Sequence, residues 1–200
     1  MRQNPARRGA LLDAAIEVLA REGARGLTFR AVDTEAKVPN GTASNYFSNR
    51  DDLLTQVGQR FYERLDPGPE VISAALEGPR DRARVTELMH ELVDRVSAFR
   101  SGYLALLELR LEATRRPELR RLLTERIRAD IDFNIDYHLR SGLPGDATTV
   151  VLFYLAFNWL ILDRLTLPDI FPEDQIQDLV TAMVERVLPP DSGRSPGEPA

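Results

Sequence analysis

Cysteine is absent from this 200-residue chain, lysine occurs once (Lys37), tryptophan once (Trp159), and histidine twice (His90 and His138). Without thiols there is no disulfide framework, no thiolate nucleophile and no cysteine-ligated zinc. Two histidines are too few for a multi-histidine metal centre, and no cofactor is expected. Long apolar runs are scarce. The longest, Val150 to Leu162 with Asn158 inside it, is about two-thirds of the ~20 residues that span a bilayer. The early positive charges Arg2, Arg7 and Arg8 precede a stretch broken by Asp13 and Glu17, so the start reads as an amphipathic helix and not as a secretory signal. These absences predict a soluble, cytoplasmic protein. No alternating strand pattern, internal repeat, glycine-rich phosphate loop or nucleophile–histidine–acid spacing is present, so no enzyme class is indicated.

What is present is helical periodicity and an uneven distribution of charge. Hydrophobic residues make up 43% and charged residues 28% of the chain, and the net charge is −5. Residues 1–50 carry a net +3 and residues 51–200 a net −8, which predicts that the two parts meet different partners. Leu12, Ala15, Ile16 and Leu19 share one helix face, and Gly23 and Gly26 end that helix. Thr28 is placed as the N-cap of a short second helix with Phe29, Val32 and Ala36 on its apolar side. Pro39 opens a third short helix to Phe47, and Ser48-Asn49-Arg50-Asp51 has capping-box spacing for a fourth. Asp66-Pro67-Gly68-Pro69 and Gly78-Pro79 interrupt the chain, with a short apolar segment from Val71 to Leu76 between them.

Longer helices follow. One carries Val85, Leu88, Leu92, Val96 and Phe99; the others cover about 101–114, 117–140, 147–165 and 173–188. The tail from Pro189 holds four prolines and two glycines in twelve residues and is expected to be disordered. The predicted fold is all-α. A three-helix helix-turn-helix domain occupies residues 1–50 and a connecting helix 51–66. A larger helical domain occupies 67–188, and the tail 189–200.

Two short helices joined by a tight turn and set on a longer one describe a helix-turn-helix. The blocks Leu27-Thr28-Phe29-Arg30-Ala31-Val32, Ala36-Lys37-Val38-Pro39-Asn40-Gly41-Thr42-Ala43-Ser44-Asn45-Tyr46-Phe47 and Arg50-Asp51-Asp52-Leu53-Leu54 closely resemble the DNA-binding domain of the TetR (tetracycline-repressor-like) family of bacterial regulators. Leu11-Leu12-Asp13-Ala14-Ala15 fits the same family's first helix, so the resemblance covers about residues 7–56. It implies that Asn40–Tyr46 enters the major groove. Asn40 and Asn45 each offer a donor and an acceptor, which suits the edge of adenine, and Ala43 suits a thymine methyl. Thr28, Thr42, Ser44 and Tyr46 offer hydroxyls to phosphate, Arg50 a charge-assisted contact, and Gly41 a close backbone approach. Thr28 serves first as a cap, and Phe47 is read as a core aromatic.

Three positions depart from the family pattern. Lys37 stands where glycine is common, which predicts a left-handed lysine. Pro39 replaces a small polar residue. The recognition segment carries no arginine or glutamine, so shape readout and phosphate contacts carry more of the specificity.

The resemblance also implies a dimeric regulator, most often a repressor, that holds a palindromic double-stranded DNA operator and is released by a small-molecule effector. The apolar 147–165 helix needs burial at a centre or against a partner. Its Leu155, Trp159 and Leu162, with Ile176, Leu179, Val180, Met183 and Val187 of the last helix, are the expected homodimer seam. Phe99, Tyr103 and Leu107, then Asn134 and His138, then Phe153, Phe157 and Asn158, are candidate linings for a largely apolar effector.

Two rival readings fit the sequence less well. Glu87-Leu88-Met89-His90 has the Glu-x-x-His spacing of di-iron bundles, but Ile135 stands where a second motif ending at His138 requires glutamate. An all-α interaction scaffold without DNA binding needs neither the N-terminal basic bias nor the Asn-Tyr-Phe segment.

Overall fold

The computed structural model describes residues 4–66, 68–75 and 77–188, and among them every regular element is helical. In chain order these are α1 (Pro5–Gly26), α2 (Phe29–Glu35), a single 3₁₀ turn (Ala43–Asn45), α3 (Arg50–Leu65), α4 (Gly68–Ala75) and α5 (Arg82–Ala98). They are followed by α6 (Arg100–Ala113), α7 (Pro117–Ser141), α8 (Ala147–Thr166) and α9 (Glu173–Val187). Leu76 and the tail expected to be disordered lie outside the described residues.

Local chemistry accounts for the helix ends. Asn4 caps α1 by accepting the Ala6 and Arg7 amides, and Pro5 takes the first position, where its missing N–H goes unneeded. Gly23 breaks α1 three residues before its end, at φ 68° and ψ −178°. Thr28 Oγ1 accepts the Ala31 amide at 3.1 Å, as its placement before α2 predicts. The cap of α3 sits one residue later than the sequence spacing predicts. Asn49 Oδ1 accepts the Asp52 amide at 2.9 Å, while the Asp52 carboxylate accepts the Ser48 amide and hydroxyl. Asp146 and Thr149 close a reciprocal capping box at the start of α8.

The expected third helix, Pro39–Phe47, is reduced to the 3₁₀ turn. Pro39 has no amide to give, and Gly41 sits at φ 89°, outside helical space. The amides of Thr42, Asn45 and Tyr46 each reach back three residues, which is 3₁₀ bonding.

The described residues divide into two compact units. One is drawn from Met1–Gly68 and Val96–Ala129, the other from Pro69–Arg95 and Asp130–Ala200. The first is therefore larger than the expected N-terminal domain. Its core runs from Leu11, Ile16 and Leu19 of α1 through Phe47, Leu53 and Phe61 into Ala105, Leu109, Leu119 and Leu123. The reason is geometric: α1 lies along α6, and both α1 and α6 contact α3. Buried Gly58 lets α3 approach closely, since a Cβ there would sit 3.3 Å from Leu122 and 3.4 Å from Leu123.

In the second unit, α8 packs on α9. Phe153, Phe157, Leu160, Ile161 and Leu165 of α8 are buried, as are Ile176, Val180 and Val184 of α9. Arg164 binds Asp94 of α5 at 3.0 Å and also pairs with Glu173. The Tyr137 hydroxyl of α7 donates to the Ile72 carbonyl of α4 at 3.0 Å. By length and composition alone α8 is long and apolar enough to cross a membrane. One face of it packs on α9, and Arg164 in its last turn is ion-paired.

Candidate nucleic-acid interface

The turn that the sequence singles out is built on one buried carboxylate. Asp33, 1% exposed at the inner side of α2, accepts the Gly41 amide through Oδ2 and the Ala43 amide through Oδ1, each at 2.7 Å. Asn40, Gly41, Ser44 and Asn45 consequently stand exposed, with Thr42 and Tyr46 half-buried. The Ser44 hydroxyl and the Asn45 amide both donate to the Gly41 carbonyl, at 2.9 and 3.0 Å, so the exposed face of the turn is ordered from within. Lys37 precedes it at φ 54°, the left-handed conformation expected of a residue replacing glycine. Asp33 was not among the residues singled out from the sequence. An acidic residue inside a short helix reads as solvated until its partners, eight and ten residues on, are known.

Two of the sequence assignments change. Ala43 is fully buried at 0% exposure, so it is part of the core and does not meet a thymine methyl. Arg50 turns inward. Its Nε donates to the Leu27 carbonyl at 3.3 Å, a terminal nitrogen donates to the Ala24 carbonyl, and Glu112 lies 3.9 Å away. Two of its nitrogens thus close the end of α1, a role the sequence does not show. Thr28 is exposed with its oxygen engaged as the α2 cap, and Phe47 is a core residue at 1% exposure.

Tyr46 is anchored from α1. Arg8 donates to the Tyr46 carbonyl at 3.2 Å and lies 6.0 Å from its ring and 5.7 Å from that of Phe47, and it also bonds Gln56. Burial works against ionisation of the neighbouring Asp52. Hydrogen bonds from Gln56 and from the amide and hydroxyl of Ser48 outweigh it and hold that carboxyl below the ordinary aspartate range. Arg7, Arg25, Arg30 and Lys37 are exposed cations of the same unit. They account for much of the basic bias of residues 1–50.

The candidate effector residues fall in both units, and each group is described within its own. Phe99, Tyr103 and Leu107 belong to the first unit. There Phe99 stacks on Phe61 at 5.9 Å and lies 4.2 Å beneath the Arg64 guanidinium, so it covers the core. Tyr103 is buried and Leu107 half-buried.

The second unit holds Asn134, His138, Phe153, Phe157 and Asn158. Phe153 and Phe157 are neighbours at 5.5 Å. Asn134 is exposed and donates to its own helix at Asp130, as Asn158 does at Tyr154. His138 Nε2 lies 3.1 Å from the Pro144 carbonyl, and burial lowers its pKa from the ordinary value.

The candidate seam residues fall into three groups by exposure. Leu155 (59% exposed) and Trp159 (67%) point outward with Leu152 (45%), which the sequence reading left out. Leu162, Leu179, Met183 and Val187 are half-buried. Ile176 and Val180 face inward at 2% and 0%, because they pack within the unit. The Glu87–His90 motif does not converge. Glu87 binds Arg84 at 3.0 Å, and His90 Nε2 meets Thr181 Oγ1 at 3.1 Å.

The comparisons with known proteins agree with this architecture. Residues 11–57 match the model of the bacterial regulatory proteins of the tetR family. Residues 80–190 match that of the tetracyclin repressor-like C-terminal domain. The chain is 39% identical over 93 residues to an HTH-type transcriptional regulator of the dhlA 5′ region in Xanthobacter autotrophicus; that alignment spans 46% of each chain, under half the relative's length. It is 26% identical over 149 residues to the HTH-type transcriptional regulator BetI of Agrobacterium fabrum, covering 73% of this chain and 70% of that one. Among solved structures, the multidrug binding protein EbrR complexed with imidazole aligns at TM-score 0.66 and 27% identity, over 96% of this chain and 100% of that one. EbrR complexed with ethidium aligns at TM-score 0.64 and 26% identity, over 92% and 99%.

Proposed function

The chain belongs to the tetR family of DNA-binding transcriptional regulators, and on that premise we propose that it acts as a dimeric repressor. It holds a palindromic double-stranded operator in the cytoplasm and leaves it when a small effector binds. The observation that carries this reading is the Asp33-held turn, which presents Asn40, Ser44 and Asn45 to solvent from a rigid base. Asn40 and Asn45 are the proposed base contacts. Thr28, Thr42, Ser44, Tyr46 and the Gly41 backbone are the proposed phosphate-side contacts, with Lys37 and Arg30 supplying charge in place of Arg50.

Two such turns reach one operator only in a two-fold assembly. The proposed seam is the outward α8 stripe Leu152, Leu155, Trp159 and Leu162, with Leu179, Met183 and Val187 of α9 beside it. Spacings of three, four and three residues give the narrow apolar seam of packed helices. The proposed effector is small and largely apolar and is read by the second unit, through Phe153, Phe157, Asn158 and His138. EbrR, a multidrug binding protein solved with ethidium, is the support among related structures for an aromatic effector. Its binding favours a dimer state whose reading turns no longer match the groove spacing.

Fluorescence anisotropy with DNA flanking the protein's own gene, titrated with salt, tests the reading. Saturable, sequence-selective binding at two protomers per site is expected, with affinity falling as salt rises because bound counterions are released. If a random-pool selection enriches no sequence and Asn45→Ala changes nothing, the DNA reading is wrong and an interaction scaffold takes its place.

A further inference from the structure

Glu108 and Glu112 stand four residues apart on α6, hence on one face. Glu112 is buried, 8% exposed. It accepts Arg116 Nε at 2.8 Å and an Arg115 nitrogen at 2.6 Å, with the Arg50 guanidinium at 3.9 Å. Arg116 continues to Asp51 in the first turn of α3. Arg50 donates to the carbonyls of Ala24 and Leu27 at the end of α1. Glu108 accepts the Ala24 amide at 2.8 Å. The break at Gly23 frees that amide, and the Glu108 carboxylate lies in van der Waals contact with Gly23, 3.4 Å from its ideal Cβ.

The peptide from Ala24 to Leu27 is thus gripped on two sides. One α6 carboxylate holds its amide, and an arginine lying beside the other carboxylate holds its carbonyls. This peptide leads directly into the Thr28 cap, and α2 in turn carries Asp33 and the reading turn. The apolar contacts between α1 and α6 are non-directional and tolerate sliding, whereas charge-assisted hydrogen bonds fix distance and angle. The Arg116 bond, set against burial and reinforced by Arg115, holds the Glu112 carboxyl below the usual glutamate range, so it is ionised at neutral pH.

We propose that Glu108 and Glu112 form a latch that sets the placement of α2 and its reading turn on α6, making them positioning residues for DNA recognition. The latch rests on the regulator reading for its DNA consequence, but its placement of α2 is measurable without DNA.

The absence of native cysteine makes the test direct. Nitroxide labels at Arg30→Cys on α2 and Arg110→Cys on α6, both exposed positions, report the distance distribution between the two helices by double electron–electron resonance. Glu112→Gln, in the labelled full chain, is expected to broaden that distribution at least twofold. In the unlabelled chain it is expected to weaken DNA binding at least tenfold. Glu112→Asp, which keeps the charge, is expected to recover part of both. Glu118→Gln removes an exposed carboxylate from its pair with Arg121 on α7 and is expected to change neither. Where circular dichroism finds Glu112→Gln unfolded, Glu108→Gln replaces it, with the same expectations. An unchanged distribution overturns the latch whatever happens to DNA affinity. A broadened distribution with unchanged affinity overturns its role in recognition. Failure of the unsubstituted protein to select any DNA sequence sinks the regulator reading, while the distance measurement still decides whether α2 is held by these carboxylates.

Discussion

The Asp33 carboxylate and the Gly41 amide meet at 2.7 Å across eight residues, and the second oxygen of the same carboxylate takes the amide of Ala43. One side chain, almost wholly withdrawn from solvent, thereby stands in for the backbone bonds that a longer recognition helix would make for itself. Removing it leaves two inward-facing N–H groups without a partner, each costing about 1–3 kcal/mol. Asp33→Ala is therefore expected to destabilise the protein by about 2–4 kcal/mol in urea unfolding and to weaken operator binding more than tenfold. Asp33→Asn keeps one acceptor oxygen and should fall between. Wild-type affinity in a folded Asp33→Ala protein would show that the turn holds its shape without the staple.

Lys37 holds a left-handed backbone at φ 54°. For a residue with a Cβ this costs about 1–2 kcal/mol, whereas glycine enters the region freely at some loss of chain entropy. Lys37→Gly is expected to raise stability by about 0.5–1 kcal/mol, read as an upward shift in thermal midpoint. The same change removes an exposed charge beside the reading turn, so the slope of log affinity against log salt should fall by about one. A gain in stability with an unchanged slope would place Lys37 off the phosphate path.

These two residues mark how far the sequence could be read. Helix periodicity located α1 and the four helices from α6 to α9 closely, and the glycine-to-lysine departure foretold the left-handed turn at Lys37. Periodicity could not foretell that Pro39–Phe47 would close as 3₁₀, because a buried carboxylate outside the segment takes its amides. The resemblance places Arg50 beside phosphate, since an arginine opening a helix after a recognition segment is well located for it. Only the meeting of α1 and α6 shows that its donors end on Ala24 and Leu27. The same long-range packing lays half-buried Phe99 over the core of the first unit, stacked on Phe61, a contact that local spacing does not show. In the seam, Leu155 and Trp159 were legible as apolar residues on an apolar helix. That Ile176 and Val180 face inward is set by α8, which no pattern within α9 reveals.

Burial lowers the His138 pKa, with the Pro144 carbonyl and Asp146 opposing it. A histidine whose folded pKa is depressed contributes stability that is complete above its unfolded value of about 6.5. That contribution is lost as pH falls towards and through the folded value. The thermal midpoint is accordingly expected to fall between pH 7.5 and 5.5. His138→Gln removes the titrating group and should flatten that part of the profile. An equal slope in both proteins would assign the acid sensitivity elsewhere.

Trp159 is the most exposed large apolar side chain of α8, at 67%, and lies between Leu155 and Leu162 on the outward stripe. In a two-fold assembly each substitution is felt twice, because the residue near the axis faces the same region of its partner. In the proposed seam a glutamate there exchanges a large apolar anchor for a charge that is costly to bury, and loss of such anchors typically costs about 2–4 kcal/mol. Trp159→Glu is thus expected to sediment as a monomer at micromolar concentration and to bind a two-half-site operator at least a hundredfold more weakly. Leu139→Glu supplies the control. Leu139 is comparably exposed, at 56%, but sits on α7, so its substitution should leave both the dimer and DNA binding intact. If Trp159→Glu stays dimeric while Leu139→Glu dissociates, the seam runs along α7, and the α8 stripe serves some other contact.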